Sequence, residues 1–139
     1  MKFLLDANLW LELLLDRPGS PDVAHLLRAV PGPLCATTDF ALAAVGIFVT
    51  KRRPELFLRF LDDLIANQIG VLHLPPSALR QVATLVQSQQ LSFDDAFQYV
   101  AAERDDLTLV SFDADFDRTP RGRKTPGQVM AELGLPTQP

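Results

Sequence analysis

The chain has 139 residues, of which 47% are hydrophobic and 22% charged, proportions typical of a globular protein with one core. Its formal net charge of −4 argues against a protein held to nucleic acid mainly by charge, although an acidic metal site would itself lower this count. A single cysteine, Cys35, excludes an internal disulfide and favours a reducing cytoplasm. We therefore expect one domain over residues 1–139.

The N-terminal segment MKFLLDANLWLELLLDR is apolar enough to suggest a signal peptide. Asp6 and Glu12 interrupt it, however, and no small-residue cleavage site follows. No segment has the roughly 18 uncharged apolar residues that a membrane span requires. The sequence therefore predicts a soluble cytoplasmic protein without a membrane partner.

The first half of the chain alternates short apolar runs with helical patterns. Residues 2–5 predict a buried strand that ends at Asp6, and residues 34–37 predict a second strand. Helices are expected after Asn8, from Ser20 as an N-cap, and after Thr38 or Asp39. A further helix, opened by a proline, carries an apolar stripe expected in the core: Leu56, Phe57, Phe60, Leu61, Leu64 and Ile65.

The second half repeats this alternation. Residues 71–74 and 107–110 predict two more strands, and a helix follows Pro75-Pro76-Ser77. Ser92 is expected to cap another helix, with Asp95 three residues on in a capping-box arrangement. Strands that alternate with helices predict a three-layer α/β/α sandwich with a central, mainly parallel sheet.

Aspartates follow the predicted strands or open the predicted helices. Asp6 and Asp113 come after strands, and Asp95 lies in the first turn of a helix. Sites in open parallel sheets form outside the carboxyl ends of the strands. Several carboxylates at one edge cannot all stay ionised without a cation, and Mg²⁺ prefers such oxygen ligands and usually brings phosphate. The pattern therefore predicts metal-assisted phosphodiester chemistry.

Three sequence blocks, in order and spacing, resemble the PIN domain, the metal-dependent nuclease fold that includes the VapC toxins of toxin–antitoxin pairs. The blocks are FLLDANLWLELLLDR, LSFDDAFQYVAAE and LTLVSFDADFDR with GRKTP, and they span nearly the whole chain. The resemblance implies an endoribonuclease with Mg²⁺ or Mn²⁺ held by Asp6, Asp95 and Asp113, and with Asp115 as a further acid. It also implies an RNA substrate, a cognate antitoxin and a homodimer.

Two polar residues match supporting positions of the family. Asn8 matches the asparagine of the Asp-x-Asn opening, which would orient the first carboxylate, and Ser111 matches a hydroxyl that often accompanies the last acid. One position departs from the family, because Ala44 aligns where a glutamate usually lies on the third helix. Asp39 is the nearest acid, but five helical positions place it about 140° around the helix from Ala44. Asp39 would therefore contribute to a metal site only from the loop or cap, and a helix cap is its simplest role.

Ala44 leaves an alternative open: a non-catalytic or weakly active PIN-like module that binds RNA or protein with a degraded metal site. Asp6, Asp95 and Asp113 favour the enzyme instead. His25 and His73 are the only histidines and lie outside the acid-rich stretches, which argues against zinc or a histidine base. Basic residues that follow the last acid are candidates for contacts with an RNA backbone: Arg118, Arg121, Arg123 and Lys124.

Overall fold

The computed structural model, which describes residues 1–135, has a four-stranded sheet in which every pairing is parallel. The strands are β1 (Phe3–Leu5), β2 (Cys35–Thr38), β3 (Gly70–Leu72) and β4 (Thr108–Val110), in the spatial order β3-β2-β1-β4. Leu4 of the central strand pairs with Ala36 on one side and Leu109 on the other. The predicted α/β fold with helices around a parallel sheet is confirmed.

Seven α-helices connect and cover these strands in the described part of the chain. They are α1 (Ala7–Leu14), α2 (Ser20–Ala29), α3 (Asp39–Val49), α4 (Pro54–Ala66), α5 (Pro76–Ser88), α6 (Phe93–Arg104) and α7 (Pro126–Glu132). Short 3₁₀ segments occupy Gly32–Leu34 and Ala114–Arg118. None of the helices described combines the length and the apolar character that crossing a membrane requires.

Alternate side chains of β1 enter two separate cores, one on each face of the sheet. Phe3 and Leu5 pack with Leu9, Trp10 and other residues of the α1, α2, α3, α4 and α7 layer. Leu4 packs on the other face with residues of the α5 and α6 layer. Because successive side chains of a strand point to opposite faces, three consecutive apolar residues tie both layers to one strand.

The segment before α7 extends the sheet beyond β4. The Lys124 N–H donates to the Leu109 carbonyl at 2.8 Å, and the Ser111 N–H donates to the Lys124 carbonyl at 2.9 Å. Val110 and Lys124 thus form a parallel bridge along the free edge of β4. This short pairing was not predicted from the sequence.

The predictions for one helix cap and one core residue were wrong. Ser20 is not the N-cap but the first residue of α2, because the Gly19 carbonyl accepts the first bond of the helix, from the Val23 N–H at 3.3 Å. Gly19 takes the cap position without a side-chain bond. Ile65, expected in the core, is 75% exposed because it lies on the outer side of α4. The apolar pattern of α4 therefore exceeds the face that the core covers.

Candidate metal centre

The carboxyl ends of β1, β2 and β4 bring several polar side chains to one edge of the sheet. Asp6 directly follows β1 and caps α1, with its Oδ1 accepting from the Ala7 N–H at 2.8 Å. Thr38 ends β2 and caps α3, and Ser111 follows β4. These positions follow from the parallel strands, whose carboxyl ends all open at one edge.

The Asp6 carboxylate is 6% exposed and is held by three side chains. Ser111 Oγ donates to its Oδ2 at 2.7 Å, and Gln98 Nε2 donates to its Oδ1 at 3.2 Å. Asn8 Nδ2 contacts Oδ2 at 3.3 Å and also donates to Ser111 Oγ at 3.0 Å. The Asp6 side chain is therefore fixed in one orientation by residues from α1, α6 and the end of β4.

Burial raises the pKa of Asp6 above its usual value, because the charged form loses its contact with water. Hydrogen bonds from Ser111, the Ala7 N–H and Gln98 act in the opposite direction, and the charge of Asp113 raises the pKa further. The net direction is upward, so this buried carboxyl group gains from a cation placed beside it.

Three further carboxylates, those of Asp95, Asp113 and Asp115, form an acid cluster at the same edge. One oxygen from each lies within 4.8 Å of the others. Burial, then the hydrogen bond with Asp113 and the charges of Asp113, Asp6 and Asp115, raise the pKa of Asp95 to about 7. In the absence of a cation Asp95 is thus only partly ionised near neutral pH.

The backbone after β4 positions two members of the acid cluster. The Asp113 N–H donates to Ser111 Oγ at 3.0 Å, and Asp113 Oδ1 accepts from the Asp115 N–H at 2.9 Å. The Phe112 N–H donates to Asn8 Oδ1 at 3.3 Å. Ser111 and Asn8 therefore link the orientation of Asp6 to the course of the chain that carries Asp113.

The chemistry of these donors fits a hard divalent cation. Mg²⁺ binds oxygen ligands at about 2.0–2.1 Å, so oxygens on opposite sides of the ion lie about 4 Å apart. The three carboxylate oxygens lie within 4.8 Å of one another, near enough to share one ion after small movements of the side chains. Mn²⁺ suits the same carboxylates, whereas the set has no sulfur or imidazole donor that would favour zinc.

Other residues with a predicted site role have different partners. The Asp39 carboxylate accepts from the Phe40 N–H at 2.8 Å and lies 3.5 Å from His73 Nδ1, outside the acid cluster. Ala44 is partly buried in the middle of α3. The candidate RNA-binding cations pair within the protein: Arg121 with Asp106, Arg123 with Asp117, Lys124 with Glu132, and Arg118 with the Gln90 carbonyl.

Gln98 and Thr38 were not singled out from the sequence. The Thr38 hydroxyl donates to Gln98 Oε1 at 2.7 Å, and Gln98 Nε2 in turn donates to the Asp6 carboxylate. Thr38 and Gln98 are both buried. A signal was present, because Gln98 lies three residues after Asp95 and therefore near it on one helix face. Gln98 is also a polar residue within the apolar run AFQYVAA, which is typical of a buried group with a hydrogen-bond role.

Comparison with known proteins identifies a family and several similar folds. A family model described as PIN domain matches residues 3–122, whereas no curated protein matches the sequence. A toxin–antitoxin complex from Klebsiella pneumoniae has a TM-score of 0.74 at 21% identity, over 90% of this chain and 98% of that one.

Two further solved structures are similar at low identity. A sarcin-ricin-loop-cleaving VapC toxin from Mycobacterium tuberculosis has a TM-score of 0.74 at 17% identity, over 86% of this chain and 96% of that one. A VapBC complex from Rickettsia felis bound to promoter DNA has a TM-score of 0.71 at 18% identity, over 89% and 97%. Likeness at such identities establishes the fold alone.

Proposed function

Because the chain belongs to the PIN domain family, we propose that it is a divalent-metal-dependent endoribonuclease and the toxin of a toxin–antitoxin pair. The observation that carries this proposal is the meeting of Asp95, Asp113 and Asp115 beside the buried Asp6 at one edge of the sheet. Carboxylates so placed are stabilised by a cation between them, and a cation at an open edge suits a phosphodiester.

In the proposed mechanism the acid cluster holds Mg²⁺ or Mn²⁺, and Asp6 lies beside it. The bound ion supplies Lewis acidity, which polarises the phosphodiester and lowers the pKa of an attacking water. Asp6 contributes a carboxyl group whose orientation is set by hydrogen bonds from Ser111 and Gln98. Asp95, whose pKa is raised, would hold the ion in its deprotonated form, so metal binding would release protons.

The partners in this proposal are an RNA substrate, a cognate antitoxin and a second copy of the chain. Solved structures of similar fold support the antitoxin, since those from Klebsiella pneumoniae and Rickettsia felis are toxin–antitoxin complexes. The proposed site of action is the cytoplasm, where the buried thiol of Cys35 would stay reduced.

Paired substitutions test the proposed catalytic role. Asp95→Asn should abolish Mg²⁺- or Mn²⁺-dependent RNA cleavage, because it removes one ligand from the acid cluster. Asp94→Asn is the matched control, since Asp94 is the adjacent aspartate on α6 but lies outside the cluster. Cleavage followed on labelled RNA should also stop when EDTA removes the metal. Equal cleavage by both variants would contradict the proposal.

A second candidate function is a binding module without catalysis, and Ala44 at the position of the family glutamate favours it. Thermal melting with added Mg²⁺ or Mn²⁺ separates the two candidates, because a ligand that binds only the folded state raises the melting temperature. A rise that Asp113→Asn abolishes, and that Asp117→Asn retains, supports a working metal site. Unchanged melting at millimolar metal would favour the binding module.

A further inference from the structure

Three phenylalanine rings form an aromatic cluster where α3 and α6 begin. Phe40 and Phe97 stack with their centroids 4.9 Å apart, and Phe93 lies 5.8 Å from Phe40 and 6.4 Å from Phe97. Phe97 is 6% exposed, whereas Phe93 is 47% exposed. Two packed rings thus support a third ring that presents a large apolar surface to solvent.

The aromatic cluster lies at the same edge of the sheet as the acid cluster. Phe93 is two residues before Asp95 on α6, and Phe40 is two residues after Thr38, which joins Asp6 through Gln98. A helix with its side chains is about 10–12 Å wide. A short nucleic-acid strand that crosses this end of α6 can therefore touch both Phe93 and the acid cluster.

Charge alone gives this edge little hold on RNA. The net charge is −4, and two cations that follow the acid cluster, Arg123 and Lys124, pair with acids. Arg118 bonds the Gln90 carbonyl and is the one candidate cation of this segment that is not paired with an acid in the described residues. Phosphate contacts normally supply most of the affinity for nucleic acid. An RNA bound here therefore needs another source of affinity, and base stacking on an aromatic ring supplies it without cations.

We propose that Phe93, supported by Phe40 and Phe97, stacks against an unpaired base of the RNA strand whose phosphodiester lies at the acid cluster. This inference rests on the proposed function and adds one base-binding contact to it, for an unstacked base next to the cleaved bond. Duplex RNA is disfavoured, because its bases are already stacked on one another.

The surroundings of Phe93 favour a base over a second protein chain. Ser92 and Asp94 flank it and are exposed, and Asp39 beside Phe40 is exposed too. Protein interfaces have an apolar centre from which charged residues are depleted, whereas a single ring among polar groups matches the size of one base. Other large exposed apolar residues, such as Ile47, Leu58 and Ile65, lie on α4 or near the far end of α3.

RNA binding by Phe93 variants tests the proposal in a cleavage-deficient Asp113→Asn background. Fluorescence polarisation would measure the Kd of labelled oligoadenylate and oligouridylate. Phe93→Ala and Phe93→Leu should both raise the Kd, by about 5- to 150-fold, because leucine keeps apolar area but has no aromatic face. Phe93→Trp should keep the parent Kd, as should Leu58→Ala, which changes an exposed apolar residue on α4.

Three results would overturn the inference: no binding of either single strand by the parent protein, an unchanged Kd for Phe93→Ala, or retention of the Kd by Phe93→Leu. Sedimentation adds a fourth, because loss of a dimer in Phe93→Ala would assign the ring to contact between copies of the chain. The proposed nuclease is tested separately by cleavage with the wild-type chain. Cleavage with a Kd independent of Phe93 refutes only the stacking, and Phe93-dependent binding without cleavage refutes only the nuclease.

Discussion

Replacement of Gln98 by leucine should destabilise the protein, because Gln98 joins the cap of α3 to the buried carboxyl group of Asp6. Leucine has nearly the same volume but neither accepts from the Thr38 hydroxyl nor donates to Asp6, contacts of 2.7 and 3.2 Å in the structure. A buried donor left without a partner costs about 1–3 kcal/mol, and a lost hydrogen bond to a carboxylate costs a similar amount. Added apolar burial offsets part of this loss. We expect Gln98→Leu to lower the free energy of unfolding by about 2–4 kcal/mol.

Urea unfolding at neutral pH in metal-free buffer measures this change, and a double-mutant cycle assigns it. Thr38→Val removes the hydroxyl that caps Ala41 and contacts Gln98, so it should cost about 1–3 kcal/mol by itself. The double variant should lose less than the sum of the single losses, by about 0.5–2 kcal/mol, because the shared hydrogen bond is counted only once. Additive losses, or a Gln98→Leu protein as stable as the wild type, would refute the coupling of Asp6 to α3.

Three other predictions follow from single sites. Because the pKa of Asp95 is raised to about 7, the folded protein holds more protons than the unfolded chain between about pH 4 and 7, so metal-free stability should fall as pH rises through this range. Asp95→Asn should remove that loss of stability, so this variant should melt above the wild type at pH 8 in EDTA. The Asp94→Asn control should melt with the wild type. An Asp95→Asn melting point below that of the wild type would contradict the reasoning. Gly32→Ala should lower the urea midpoint, because its Cβ would lie 1.7 Å from the Asn67 carbonyl oxygen, and an unchanged midpoint would count against the close approach. Burial raises the pKa of Cys35 to about 11, so the thiol should resist iodoacetamide at pH 8 in the folded protein and react only after unfolding. Mass spectrometry would measure the labelling.

The sequence predicted the parts of the fold that depend on local pattern. A buried strand that ends in an acid placed Asp6 and β1 correctly, and the proline and serine signals located the starts of α4 and α6. The third strand was displaced, since it was expected at residues 71–74 and runs from Gly70 to Leu72. Its extent depends on pairing with β2, which ends at Thr38 opposite Leu72, and a pairing partner cannot be read from one segment.

The candidate site was predicted only as far as residue type and strand ends allow. Asp95 and Asp113 could be placed near Asp6 because parallel strands share one carboxyl edge. Gln98 could not be assigned, because its hydrogen bond joins residues 92 positions apart and depends on how α6 rotates over the sheet. The exposure of Ile65 has the same origin: periodicity identifies the apolar side of a helix, but the packing of neighbouring elements decides how much of it is covered.

The pairing of Lys124 with β4 has a consequence for any engineered form of this chain. An open strand edge offers unpaired backbone groups to other molecules, and here a stretch close to the C-terminus closes it. Ser111, the residue that holds Asp6, donates its own N–H to that stretch. A bulky tag or a truncation that displaces residues 123–125 would therefore expose the edge of β4 and remove a hydrogen bond that positions Ser111 beside Asp6.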